Sequence, residues 1–339
     1  MAKDPLIKFT DRGIYCPRAD VYIDPWKPVA RALITHGHAD HARPGHAHYM
    51  CTRSAAPIMR HRLGEITLQT VRYGEVTCIN GVDVSFHPAG HVIGSAQIRL
   101  AYKDEVWVVS GDYKTENDGV SEPFETVRCT HFITECTFGL PIFKWQPQPD
   151  IARDIHAWWA RNQADGKTSM IGAYSLGKAQ RILSMLDTHI GPILTHGAIE
   201  VSNGILRKQG ITLPDTLQVT PELDLKSHQG AMVLAPPAAL GSKWARGFGP
   251  SSSGFASGWM RLRGVRRRRA LDQGFVISDH ADWTGLLEAI KNTSAENVYV
   301  THGYTDIFAR HLNSIGYNAA IVETDFQGED IQAEESEAL

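Results

Sequence analysis

Short apolar segments separated by turn residues run through the first third of the chain, and this pattern predicts β-strands joined by turns. Residues 82–86 and 95–101 alternate apolar and polar positions, as half-buried strands do. Residues 31–35 and 106–110 are more continuously apolar, as buried strands are, and 132–134 form a further short strand. Polar residues of chemical interest follow these strands: His36, Asp112 and Glu135.

From about residue 140 the pattern changes to an alternation of helices and strands, which predicts a parallel α/β layer. Residues 151–164 have helical periodicity, 169–174 resemble a strand, and Ser175 is placed as the N-cap of a helix over 177–188. The alternation continues through 192–198 and 231–235, whereas 241–270, rich in Gly, Ser and Arg, resemble a loop. Regular elements resume in five segments: 275–278, 286–292, 298–301, 307–315 and 319–322.

The composition narrows the class of protein. With 339 residues and 42% hydrophobic residues, the chain can bury a large core, and its net charge of −3 argues against a protein that coats nucleic acid by bulk charge. Its five cysteines include no Cys-x-x-Cys pair, so neither a disulfide framework nor a cysteine zinc site is indicated. No apolar run reaches membrane-spanning length, and we expect a cytoplasmic protein without a membrane partner. The acidic tail, 326–339, is predicted to be disordered.

The 16 histidines include a cluster that indicates metal binding. The segment HGHADH places three imidazoles and a carboxylate within six residues: His36, His38, Asp40 and His41. Such ligands suit zinc, and also manganese or iron. A solvated polar loop is the alternative, but three more candidates stand in or after predicted strand ends: His91, Asp112 and His302. Each alone is more often a turn residue or a helix cap, whereas together the seven supply two adjacent metal positions.

The motifs HGHADH, AGHVIGS, SGD and THG resemble the ligand motifs of the metallo-β-lactamase superfamily, in the same order. The resemblance implies an αββα sandwich formed by residues 1–137 and 275–325. It also implies two divalent metal ions, zinc or manganese. The first would be held by His36, His38 and His91 and the second by Asp40, His41 and His302, with Asp112 bridging them.

The spacing of these ligands suggests an inserted domain, because 190 residues separate Asp112 from His302. We assign residues 138–274 to this α/β insertion. Glu135 and His280 stand at its borders; each has a plain alternative, a strand-end acid and a helix-capping cluster. The motifs ITECTFG, YSLGKAQR, ISDHADW and YVTHG resemble those of the β-CASP branch, whose members are nucleases.

The resemblance implies a catalytic role for Asp112, Glu135 and His280. Two bound metals would lower the pKa of water, and the resulting hydroxide would attack phosphorus. His280 would assist the leaving group, with Glu135 fixing its orientation and favouring the imidazolium. The products would be a 5′-phosphate and a 3′-hydroxyl.

Two groups of residues are predicted to contact nucleic acid. Ser175, Gly177 and Lys178 open a predicted helix and could hold a phosphate, or form a plain N-cap. Six arginines within nine residues could bind a nucleic-acid backbone or be a solvated face, and we favour the first: Arg261, Arg263, Arg266, Arg267, Arg268 and Arg269.

The segments GFASGWMRLRG and RRRRALDQGFVISDHADW resemble a bacterial subfamily of ligase-associated DNA exonucleases. This implies a DNA exonuclease, 5′ to 3′ on single strands, that acts in repair beside a DNA ligase and a helicase. The short stretch after residue 325 agrees with it, since RNA-processing members generally carry further C-terminal domains. The presence of His302 is instead similar to RNA-cutting relatives, so a ribonuclease is the alternative. A non-catalytic nuclease partner is less favoured, because all seven candidate ligands are present.

Overall fold

The computed structural model describes residues 5–268 and 271–324, with only the backbone of 266–268, and has a mixed α/β fold. Its described residues form two compact units, one of 5–143 with 279–324 and the other of 144–268 with 271–278. The sequence predicts domain boundaries after residues 137 and 274, and these remain a prediction. Arg269 and the acidic tail, 326–339, lie outside the described residues.

The first unit contains two sheets. The strands of the first sheet, in spatial order, are Lys8–Thr10, Gly13–Cys16, Val21–Ile23, Arg31–Leu33, His48–Thr52 and Leu68–Val71. Those of the second, also in spatial order, are Asn318–Ile321, Asn297–Gly303, His131–Cys136, Glu105–Val109, Ala96–Tyr102, Val82–Pro88 and Thr77–Ile79. The first four strands of this second sheet are parallel to one another, so their carboxyl ends lie at one edge.

Apolar side chains from both sheets share one core of the first unit. Leu33 and Met50 come from the first sheet, and Ile98 and Ile133 come from the second. The predicted alternation explains one contribution: in Val82–Pro88, Val82, Val84 and Phe86 are buried while Asp83 is exposed. The faces that the two sheets turn towards each other are buried in this core, whereas the ends of the strands remain available for a functional site.

Three helices of the first unit complete its packing. Ala56–Leu63 packs on the first sheet, with Met59 beside Ala32 and Tyr49. The helices Trp283–Thr293 and Thr305–Ser314 pack on the second sheet, and the side chains Leu286 and Phe308 share a core with Val298. None of the helices that the structure describes is long and apolar enough to cross a membrane.

The second unit has a parallel sheet, as the alternation of strands and helices predicts. Its strands, in spatial order, are Leu217–Gln218, Ile193–Thr195, Met232–Ala235, Thr168–Gly172, Ser251–Ala256 and Gln273–Phe275. Its α-helices are Gln148–Ala164, Lys178–Met185, Gly197–Lys208, Lys243–Arg246 and Arg263–Arg268, and its 3-10 helices are Leu225–His228, Pro237–Ala239 and Gly258–Arg261.

The interpretation of 241–270 as a loop is wrong. Ser251–Ala256 is an interior strand that pairs with Thr168–Gly172 on one side and Gln273–Phe275 on the other. Serine and glycine favour strands weakly, so pairing on both sides decides the conformation here. Small residues also fit the crowding, since a Cβ added at Gly254 would lie 3.0 Å from the Phe275 ring.

Two helix predictions in the second unit are also corrected. Ser175 is not an N-cap: the helix begins at Lys178, ends at Met185, and has Gly177 as its N-cap with φ +91°. The Gly177 N–H donates to the Gln180 side chain at 2.8 Å, which is the bond of a capping box that does not depend on the side chain of the N-cap residue. The helix Gly197–Lys208, absent from the sequence interpretation, begins after the N-cap His196 and buries Ile199 and Leu206 on one face.

Candidate metal centre

The histidine-rich loop begins directly after the buried residues Ile34 and Thr35, which continue the strand Arg31–Leu33 into the first unit. His36 and His41 are fully buried, with ring centroids 4.1 Å apart, whereas His38 and Asp40 are partly exposed. Gly111 lets the neighbouring loop approach, since its φ is +56° and an added Cβ would lie 2.7 Å from the Thr35 side chain.

Asp112 lies at the centre of the predicted ligands. Its carboxylate oxygens lie 2.9 Å from Nε2 of His302, 3.5 Å from Nε2 of His41 and 3.6 Å from Nε2 of His36. His91 and His38 are close as well, with Nε2 of His91 3.0 Å from Nδ1 of His38. The structure therefore brings all seven predicted ligands together in overlapping groups whose donor atoms lie within 4.8 Å of one another.

The protonation of these groups fits metal binding. Burial and the neighbouring His41 hold the pKa of His36 well below its usual value, and burial with His280 does the same for His91. Both imidazoles are therefore neutral, which is the form that binds metals. Burial alone would raise the pKa of Asp112, but His41 and His280 hold it well below its usual value. The central carboxylate is therefore ionised.

Two further observations fit a bound cation. Nε2 of His36 is buried and has no hydrogen-bond partner among the described residues. Burial disfavours the charged form of His41, yet Asp112, Asp40 and Asp24 raise its pKa well above the usual value. A divalent cation would satisfy both, as it accepts the lone pair of a neutral imidazole and replaces the proton among the carboxylates. The cofactors of this site are two divalent metal ions.

The ligand rings are oriented by residues that the sequence interpretation missed. Asp24 is buried at φ +42°, accepts the Thr35 N–H at 2.8 Å, and has a carboxylate oxygen 2.7 Å from Nδ1 of His41. Nδ1 of His91 lies 2.9 Å from the Asp279 carbonyl oxygen. Such partners fix the orientation of an imidazole and raise its basicity as a ligand. In the sequence, Asp24 has only its place after the apolar segment VYI as a signal.

Glu135 and His280 form a buried pair beside the candidate metal ligands. Nδ1 of His280 lies 2.8 Å and 2.9 Å from the two carboxylate oxygens of Glu135. Glu135 also accepts hydrogen bonds from the Tyr113 N–H at 2.9 Å and the Thr137 hydroxyl at 2.6 Å. The His280 ring lies 4.6 Å from the His91 ring. With Nδ1 engaged by Glu135, the atom of His280 that can exchange a proton is Nε2.

The same pair could instead contribute to metal binding. Donor atoms of Asp112, Glu135 and His280 also lie within 4.8 Å of one another, so they form a fourth overlapping group. The hydrogen bonds to Glu135 decide against this interpretation, because they already occupy both of its oxygens and leave it oriented towards His280.

Those residues predicted to contact nucleic acid that the structure describes lie in the second unit. Lys178 is fully buried, with its ammonium 4.4 Å from the centroid of the Tyr174 ring, and Ser175 and Gly177 are partly exposed. Arg261 and Arg263 are exposed. The backbone of Arg266, Arg267 and Arg268 belongs to the helix Arg263–Arg268.

The cluster is of the kind found in two-metal hydrolases, and comparisons with known proteins refine this class. No family model matches the chain. Over 324 residues, 95% of this chain, it is 29% identical to a "Probable DNA ligase" of Opitutus terrae, and the match covers 31% of that protein. Over 147 residues, 42% of this chain and 18% of the relative, it is 27% identical to cleavage and polyadenylation specificity factor subunit 3 of Dictyostelium discoideum.

Further relatives, which match about a third to a half of the chain, carry the names RNase or endoribonuclease. The crystal structure of a protein of unknown function from Enterococcus faecalis V583 has a similar fold, with a TM-score of 0.59, 10% identity, and coverage of 87% of this chain and 79% of that one. The chain spans about a third or less of the length of the first two relatives. These relatives support the resemblance to the β-CASP branch of metallo-β-lactamase proteins.

Proposed function

We propose that this protein is a metal-dependent phosphodiesterase that cleaves nucleic acid. In this proposal the first unit is an αββα metallo-β-lactamase sandwich and the second is an inserted β-CASP domain. The observation that carries it is the buried Glu135–His280 pair beside the seven candidate ligands. Metal ligands alone fit many hydrolases, whereas a carboxylate-oriented imidazole next to them fits a reaction whose leaving oxygen needs a proton.

The residues divide between metal binding and proton transfer. His36, His38 and His91 would hold one ion, Asp40, His41 and His302 the other, and Asp112 would contact both. When bound, two such ions lower the pKa of water towards neutrality and neutralise charge on the phosphate oxygens.

His280 donates a proton from Nε2 to the leaving oxygen. The Glu135 carboxylate at its Nδ1 favours the imidazolium and fixes the direction of the ring. In turn, the Tyr113 N–H and the Thr137 hydroxyl hold Glu135 in position.

The favoured substrate is DNA, cut as an exonuclease from 5′ to 3′ on single strands, with a 5′-phosphate and a 3′-hydroxyl as products. The relative named "Probable DNA ligase", which matches 95% of this chain, supports a DNA substrate and a role in repair beside a ligase and a helicase. Arg261 and Arg263, exposed in the second unit, are the proposed contacts to the strand, with Arg266, Arg267, Arg268 and Arg269 continuing the series. The partly exposed Ser175 and Gly177, which precede the helix Lys178–Met185, are the proposed phosphate contacts, and the buried Lys178 would support them only through its charge.

A ribonuclease of the same branch is the second candidate. The relatives that carry the names RNase or endoribonuclease favour it. The chemistry at His280 and the metal ligands would be the same for both nucleic acids, so the difference lies in the binding of the sugar.

Cleavage of labelled single strands tests the proposal. Single-stranded DNA and RNA of one sequence, labelled at the 5′ or 3′ end and with that end free or blocked, are incubated with zinc or manganese. We expect DNA to be shortened progressively from a free 5′ end. Cleavage of RNA alone would favour the ribonuclease, and no cleavage of either by the metal-loaded chain would contradict both.

A further inference from the structure

The first unit contains a cavity that opens beside the metal ligands. Its volume is about 610 Å³, within the range of roughly 300–1,000 Å³ typical of small-molecule sites. It is lined by Thr10 and Asp11, by Trp26 and Lys27, by the end of the strand that carries His302, and by residues 321–324. The cavity is adjacent to the candidate metal centre, because Nε2 of His302 also lies 2.9 Å from an Asp112 carboxylate oxygen.

The lining is unsuited to a phosphate. Lys27 is its one lysine, and its ammonium lies 3.1 Å from the Asp11 carboxylate. Glu323 adds a second carboxylate. Two carboxylates against one lysine disfavour an anion, while they can accept hydrogen bonds from the amino groups of a base or the hydroxyls of a sugar.

Trp26 is the aromatic residue among those that line the cavity, and hydrogen bonds orient it. Trp26 is half-buried, and its indole N–H donates to the Asp11 carbonyl at 2.8 Å. The Arg43 side chain donates to the carbonyl oxygens of Asp40, at 3.1 Å, and of Trp26, at 3.4 Å. One arginine therefore ties the backbone at Trp26 to the loop of metal ligands. Aromatic side chains placed in this way stack on bases with little preference for sequence.

We propose that this cavity holds the nucleoside, base and sugar, of the nucleotide next to the phosphate that is cleaved, with the base against Trp26. The proposal rests on the proposed function, since it takes the phosphate to lie at the metal ligands. One nucleoside would then be bound by residues of the first unit alone. Its base would contact Trp26, whereas the arginines would contact the backbone of the strand.

Binding of 2′-deoxyadenosine 5′-monophosphate to the zinc-loaded full chain, followed by saturation-transfer NMR, tests the cavity without any reaction. We expect the strongest saturation at the base protons. Trp26→Ala should weaken binding roughly 5- to 100-fold, the usual effect of removing one stacking side chain. Trp26→Phe, which keeps an aromatic face, should retain most of the affinity and guards against a folding defect. Tyr102→Ala, which removes a half-buried aromatic outside this lining, is the matched control.

Two small phosphodiesters separate the cavity from the catalytic proposal. The p-nitrophenyl ester of thymidine 5′-monophosphate carries a nucleoside, and bis(p-nitrophenyl) phosphate carries none. In Trp26→Ala we expect kcat/KM for the thymidine ester to fall roughly 5- to 100-fold relative to that for the simple ester. Wild-type binding of the monophosphate by Trp26→Ala would overturn the cavity proposal. Binding that depends on Trp26, in a wild-type chain that hydrolyses neither ester, would support the cavity and contradict the proposed phosphodiesterase.

Discussion

The sequence predicts two groups of residues for one reaction, the metal ligands and the contacts to nucleic acid. The two groups differ in how their side chains are buried and oriented by neighbouring residues. In the first unit, the seven candidate ligands, Asp112 among them, lie in overlapping groups, and buried partners orient the rings of His41 and His91. In the second unit, Lys178 is buried against Tyr174, while Arg261 and Arg263 are exposed. Local sequence at strand ends is therefore enough to predict a candidate metal centre, whereas contacts to a polymer depend on which side chains are exposed in the folded chain.

Removing the Asp112 carboxylate should have the largest effect on cleavage, and it tests the assignment of the metal ligands. Asp112→Ala should lower cleavage by roughly a thousandfold, as expected when a group that organises transition-state charge is removed. His41→Ala should do the same. Cleavage of labelled DNA and the metal content of each variant give the answer, with the exposed Asp83→Ala as the matched control. Metal-dependent cleavage that survives either substitution would show that the ligands are assigned wrongly.

Replacing His280 separates proton transfer from metal binding in the first unit. His280→Ala should reduce cleavage roughly 10²- to 10⁴-fold, the range for a positioned acid or base, while both metals stay bound. Mass spectrometry of the metals alongside the rate distinguishes this from a ligand, and the exposed His48→Ala serves as control. Loss of a metal from the His280 variant would place this imidazole among the ligands instead.

The Asp24 carboxylate tests whether the rings need buried partners. Asp24→Asn should weaken metal affinity roughly 10- to 100-fold, because it removes the charged acceptor at Nδ1 of His41. Cleavage should recover when metal is supplied in excess. Unchanged affinity, measured by competition with a chelator, would mean that the metal loop holds its own geometry.

Replacing exposed arginines of the second unit should change DNA binding less than the preceding substitutions change cleavage or metal affinity. The binding constant for single-stranded DNA falls as salt rises, and a logarithmic plot of the two has a negative slope. Replacing both Arg261 and Arg263 with Gln should make this slope less steep by about 0.7 for each phosphate that is no longer neutralised. The exposed pair Lys243→Gln and Arg246→Gln in the same unit is the control and should leave the slope unchanged. An unchanged slope in the arginine variant would identify this strip as a solvated face.

The sequence predicts what depends on local order, and the physical reason is visible at particular residues. His36, His91, Asp112 and His302 stand at or near the ends of strands, and parallel neighbours among those strands bring their carboxyl ends to one edge. Asp24 and the Asp279 carbonyl were missed because they lie 17 and 188 residues from the histidines that they orient. No periodicity reports such a contact.

The errors in the second unit have a related cause. Ser251–Ala256 has weak strand propensity, yet two neighbouring strands impose its conformation. The helix at Lys178 begins two residues later than a serine cap requires, since the Gln180 side chain satisfies the Gly177 N–H. Tertiary pairing and side-chain capping by a later residue are both outside what a local pattern contains.

A metal titration tests directly whether phosphodiester hydrolysis requires two bound ions. The full chain is stripped of metal with a chelator, then zinc or manganese is added in known amounts while hydrolysis of bis(p-nitrophenyl) phosphate is followed. We predict no hydrolysis in the stripped chain and a rise that levels off at two equivalents, with Asp112→Ala inactive throughout. Full activity at one equivalent, or hydrolysis in the stripped chain, would contradict a two-metal phosphodiesterase.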